Sequence, residues 1–113
     1  MTVFYIPSHK LDDPKFYPKS DERSQTARSA IHEYLMRQYR AYTQTPTPAK
    51  GYWISHGDEV VHDVMERFEV SFNQEEEFDR LIDFLVELCV RLDEDAVYVT
   101  RGDRSYLVTR KAA

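Results

Sequence analysis

The segment Val60-Val61-His62-Asp63-Val64-Met65-Glu66-Arg67-Phe68-Glu69-Val70-Ser71-Phe72, VVHDVMERFEVSF, decides the fold. Val60, Val64, Phe68, Val70 and Phe72 share one parity, as a strand with one buried face requires, and His62 and Glu66 interrupt that row. Val60, Val61, Val64, Met65 and Phe68 also fit a helical stripe, so periodicity alone leaves both readings open. The neighbours favour the strand. GYWIS at 51–55 reads as a second strand, HGDE at 56–59 as a compact turn, and FEVSF at 68–72 is itself strand-like.

Working outward, Thr2 to Ile6 is a β-branched and aromatic run stopped by Pro7, a first strand. The stretch 8–20 is aperiodic and proline-containing, hence a loop. A helix follows, with Ser20 as expected N-cap and Ala27, Ile31, Tyr34, Leu35, Gln38 and Tyr42 on one stripe. It must stop before Pro46, because proline biases the residue before it away from the helix, and TQTPTPAKG at 43–51 is then a connector. A second helix is expected after Asn73 as N-cap, with Glu76 completing a capping box and Phe78, Leu81, Leu85, Leu88 and Leu92 forming the stripe that Ile82 and Cys89 widen. The end, 96–109, reads as a hairpin turning at Gly102-Asp103, with Val97 opposite Val108, Tyr98 opposite Leu107 and Val99 opposite Tyr106.

Composition limits the rest. A chain of 113 residues fits one domain, and 42% apolar with 13% aromatic residues supports a packed core despite 31% charged residues. No run approaches a membrane span and the start lacks the order of a secretory signal, so a soluble, cytoplasmic protein is expected. Cys89 is the one cysteine, which excludes an internal disulfide and a multi-thiolate cage. The net charge of −5 is uneven: residues 1–50 carry eight Lys/Arg against five Asp/Glu, and 51–113 carry seven against fifteen. Such fields affect association rather than fold.

Few residues suggest chemistry. His56, Asp58 and His62 in SHGDEVVHD are weak candidates for metal ligands, since a zinc or iron site needs three or four convergent donors. Three glycines form no phosphate loop, there is no nucleophile elbow, and Cys89 lies on a core stripe where a thiol behaves as a small apolar group. The Arg101-Gly102-Asp103 tripeptide spells an adhesion motif in a chain with no secretion signal. No catalytic residue and no cofactor are assigned. KLDDPKFYPK interleaves Lys10, Lys15 and Lys19 with Phe16 and Tyr17, a mixture that grips single strands, but a pI near 5.3 argues against nucleic acid. With Trp53, these residues are the candidate interface for a protein partner or self-association.

The element order, strand-helix-strand-strand-helix-strand with one further strand, is the ferredoxin-like βαββαβ plan with an extra C-terminal hairpin strand, an α+β fold. From Gly51-Tyr52-Trp53 through VVHDVMERFEVSF and the second helix to Ala96-Val97-Tyr98-Val99, the chain resembles small uncharacterised bacterial ferredoxin-like proteins over residues 51–108, some related in shape to nitrogen-regulator-like signal domains. The resemblance carries no catalytic residue. It implies the fold and assembly by sheet or helix faces, and the function expected is a non-enzymatic binding or regulatory module acting through protein contacts; an inhibitor or accessory protein of a larger bacterial or phage machine fits a short acidic chain. A small-molecule or nucleotide sensor and a metal-dependent hydrolase stay open as alternatives.

Overall fold

The computed structural model describes residues 1–16 and 26–110, without the side chains of 46–48. The expected Ser20 cap, Tyr17 and Lys19 lie outside the described residues. Strands β1 (Thr2–Pro7), β2 (Thr43–Ile54), β3 (Val60–Val70), β4 (Ala96–Arg101) and β5 (Arg104–Thr109) form one sheet in the order β2-β3-β1-β4-β5, every neighbouring pair antiparallel. Helices α1 (Ser8–Leu11), α2 (Ala27–Tyr39) and α3 (Glu75–Arg91), with a 3₁₀ turn at Pro14–Phe16, complete the described α+β architecture.

The segment 60–72 is a strand through Val70, as its flanks imply. Its ambiguous helical stripe loses because β3 is laddered on both sides, by β1 and by β2, so tertiary pairing settles what period could not. The even-numbered side chains Phe68 and Val70 join Phe4 and Ile6 of β1 and Val97, Val99 and Val108 of the last hairpin in the core, beneath Ile31 and Leu35 of α2 and Leu81, Leu85 and Leu88 of α3. The ring of Phe4 stacks on Phe68 at 5.2 Å. The C-terminal hairpin has the expected register, Val97 with Val108, Tyr98 with Leu107 and Val99 with Tyr106, and Gly102 takes φ +60 in its turn.

Four local expectations are corrected. The loop after β1 contains α1, whose Leu11 is fully buried and ties the segment to the core. The described α2 begins at Ala27, capped by Thr26 in a reciprocal bond with Ser29, and ends at Arg40 in the left-handed conformation, so Tyr42 leaves the helical stripe. TQTPTPAKG is the first nine of the twelve residues of β2 rather than a connector: β2 is an edge strand, where a missing N–H is tolerated, and a register shift between Thr45 and Ala49 accommodates the prolines. The N-cap of α3 is Gln74, without a side-chain bond; Glu75, Glu76 and Glu77 supply negative charge to the first turn, and Arg101 reaches Glu75 through two bonds of 2.8 and 2.6 Å.

Candidate functional site

Parity puts Val60, His62, Val64, Glu66, Phe68 and Val70 on the helix-facing side of β3, yet they do not share an environment. Phe68 and Val70 are buried, whereas Val64 is 38% and Val60 70% exposed, so the described helices leave the distal part of this face uncovered. Glu66 stands at the border. Its side chain is 13% exposed and meets Arg28, which projects from the first turns of α2.

Arg28 uses both sides of its guanidinium. Nη1 and Nη2 donate to the two Glu66 carboxylate oxygens, each at 2.9 Å, while Nε and Nη2 donate to Asp12 at 2.8 and 3.0 Å. Two bidentate pairs on one cation fix its plane. Gln44, on β2, also donates its amide to Glu66. These bonds, those to Glu66 foremost, push the Arg28 pKa up, and Arg28 holds the Asp12 carboxyl below its usual range. Beside the cluster, one α-helical turn on from Arg28, His32 Nδ1 lies 2.8 Å from the Tyr42 hydroxyl, and the Tyr42 ring leans on Phe68 at 6.3 Å. Burial raises the Tyr42 pKa, against a smaller opposing effect of Arg28. The cluster therefore holds one cation between two anions, a preorganised site of net charge −1 in its ionised form.

An exposed ledge continues from it along the hairpin. Tyr52 pairs with His62 across the strands, their rings 5.7 Å apart, and Ile54 pairs with Val60. Tyr52 and Ile54 are 65% and 67% exposed. The opposite face of the sheet carries a Tyr5–Tyr98 ring pair at 6.1 Å and an Arg67–Glu69 ion pair at 2.6 Å. A concavity of about 490 Å³ between α2 and α3 has Tyr34 stacked on Phe84 at 3.9 Å. That is a helix-packing seam with polar rims rather than a convergence of functional groups.

The described residues singled out in the sequence are not members of this cluster, and of them His62 stands on the ledge beside it. Lys10 donates to the Leu92 and Asp93 carbonyl oxygens at 2.7 and 3.2 Å and pairs with Glu94 at 3.0 Å, neutralising the C-terminal end of α3. Lys10 and Lys15 both lie over the Phe16 ring, 5.2 and 4.9 Å from its centre. Trp53 is half-exposed on β2, facing away from the Tyr52 ledge. His56 and Asp58 sit in the β2–β3 turn, and His62 pairs with Tyr52; among the described residues no three His, Cys, Asp or Glu side chains converge as a metal site. Cys89 is buried, its thiol donates to the Val108 carbonyl at 3.4 Å, and burial pushes its pKa up to about 11. Sequence reading missed Asp12, Arg28, Gln44 and Glu66. The signal available was the interruption of the β3 apolar row at His62 and Glu66.

No family model and no curated protein matches the sequence. Two solved structures share the fold. A phage SAM lyase in complex with S-methyl-5′-thioadenosine is 10% identical, with a TM-score of 0.57, the match covering 99% of this chain and 90% of that one. A phage SAM lyase in the apo state matches over the same shares at 10% identity, with a TM-score of 0.54. This corrects the expectation of a non-enzymatic binding module, since both structures that share the fold at full length are those of an enzyme.

Proposed function

We propose that the protein is a lyase acting on a nucleoside sulfonium of the S-adenosylmethionine type, with Arg28, Glu66, Asp12 and Gln44 as its polar site. The observation that carries this reading is the extent of the likeness: 99% of this chain against 90% of a phage SAM lyase is a match of whole domains, not of a shared supersecondary unit. Fold alone does not assign chemistry, so the reading also has to fit the site.

It does so by charge. The substrate class carries a sulfonium and a zwitterionic amino-acid tail, net +1, opposite to the −1 of the cluster. The Arg28 fork suits a tail carboxylate, and Glu66 and Asp12 suit an ammonium. These groups satisfy one another, which avoids leaving a charge desolvated and unpaired. When the carbon–sulfur bond breaks, its electron pair goes to sulfur and the nucleoside leaves as a neutral thioether, losing its Coulombic attraction to the site. A lyase completes the carbon side without water, either by proton removal or by attack of the substrate's own carboxylate. Both protein carboxylates are already bonded to Arg28, and Asp12 is held acidic by it, which suits them to orienting the tail rather than abstracting a proton.

The strand order β2-β3-β1-β4, with α2 and α3 as crossovers, supports a ferredoxin-like core to which β5 adds an edge. A single buried free thiol supports a reducing compartment, the cytoplasm. No described helix is long and apolar enough to cross a membrane.

The test is incubation of the purified protein with S-adenosylmethionine, followed by separation and mass detection. S-methyl-5′-thioadenosine should accumulate as substrate disappears, and Glu66→Gln should slow this by about a hundredfold through lost positioning. Absence of turnover by the wild type, together with no substrate-dependent rise in its melting temperature, sinks the reading.

A further inference from the structure

On β3 the row Val60, His62, Val64 runs directly into Glu66, and the cross-strand partners Ile54, Tyr52 and Lys50 place their side chains on that same face. The face is apolar and aromatic, but it is exposed: Val60 70%, Ile54 67%, Tyr52 65% and Val64 38%. A hairpin that extends beyond its helical layer ordinarily blunts such a surface with charge. Lys50, opposite Val64, is the one Lys, Arg, Asp or Glu in these three cross-strand pairs.

We infer that this ledge, with the Tyr52–His62 ring pair at its centre, is a stacking platform for the purine base of a nucleoside whose charged tail lies in the Arg28–Glu66 cluster. The inference rests on the lyase reading for the nature of the tail. Three observations on the chain itself support the platform. The ledge and the cluster follow one another along one face of one strand, Val64 and Glu66 being successive positions of its even-numbered row. His62 and Glu66 are four residues apart, about 13–14 Å along a strand, a span that an extended nucleoside with an amino-acid tail bridges. The two rings, 5.7 Å apart and tilted by 38°, are held by cross-strand pairing, and Tyr52 keeps most of its surface open for a third ring.

A base on this platform gains stacking and apolar contact without needing sequence-specific hydrogen bonds, since a purine offers a π-face whatever its edge groups. The division of labour follows. The cluster distinguishes a charged tail from none, and the ledge holds the nucleoside in both substrate and product. Tyr52 and His62 are thus binding residues for the base, and Val64 is the floor between base and tail.

The experiment uses two probes on the full chain, S-adenosylmethionine and S-methyl-5′-thioadenosine, by calorimetry with wild type, Tyr52→Ala, Glu66→Gln and Tyr98→Ala. Tyr52 is exposed, so its replacement leaves the core intact, and Tyr98 controls for loss of a tyrosine on the other sheet face. Tyr52→Ala should weaken both probes about tenfold, the scale of one lost stacking partner. Glu66→Gln should weaken the tailed probe and leave the thioether nucleoside within about twofold, and Tyr98→Ala should change neither. Unchanged affinity of Tyr52→Ala for S-methyl-5′-thioadenosine overturns the platform while leaving the lyase reading standing. Failure of the wild type to bind either probe overturns both.

Discussion

The two ends of β3 face the same way and have opposite environments. Phe68 and Val70 are almost fully buried under α2 and α3, whereas Val60 and Val64, on the same row, are exposed, and Glu66 divides them with a carboxylate shared by Arg28 and Gln44. Alternation fixes which face a side chain takes. It does not fix whether another layer arrives to cover that face. The difference teaches that an apolar row can be core at one end and exposed surface at the other, with a polar group marking the boundary.

The largest effect should come from the covered end. Phe68→Ala should cost about 3–5 kcal/mol by denaturant titration, because it empties a fully packed position against Phe4, whereas Val60→Ala should stay within about 0.5 kcal/mol. Comparable losses at both positions break the comparison, since they mean the distal row is also packed.

At the boundary the effect should be intermediate. Glu66→Ala leaves Arg28 with Asp12 alone and should cost about 1–2 kcal/mol, discounted because the Arg28 side chain is 35% exposed. A change near zero places Glu66 with the uncovered end rather than at the border.

The smallest effect concerns pH and the outer arm of the same cation. The Asp12 pKa is lowered in the folded chain, first by its hydrogen bonds to Arg28, so its contribution is present above the unfolded carboxylate pKa of about 3.9 and is lost as pH falls through the lower folded value. Asp12 is exposed, so wild type should exceed Asp12→Asn by at most about 1 kcal/mol near neutrality, the difference shrinking below about pH 4. A difference that grows on acidification reverses the sign and excludes the pairing.

Several features were legible from residues alone. The heptad-like stripe Phe78, Leu81, Leu85, Leu88 specifies a one-sided helix because only the 3.6-residue period aligns those side chains, and all four are buried. The last hairpin is equally local: a glycine able to adopt φ +60 in the turn sets the register of the residues on either side. The start of β2 was not legible, because two prolines carry the local signature of a loop and only the position of β2 at a sheet edge makes them tolerable. Lys10 looks available in the sequence, yet a carbonyl pair and Glu94 at the end of α3 claim it.

The sequence by itself determined the α+β class, the register of the β4–β5 hairpin and the core stripe of α3, because these depend on neighbours within one turn or one hairpin. Tertiary structure alone decided that Asp12, Arg28, Gln44 and Glu66 form one hydrogen-bonded cluster. Arg28 lies 16 residues from Asp12 and 38 from Glu66, and Gln44 lies 22 from Glu66, so no local period links them. Their meeting requires α2 to pack across the sheet and end its cover at Glu66, a balance of helix length against strand length that no short window of sequence contains.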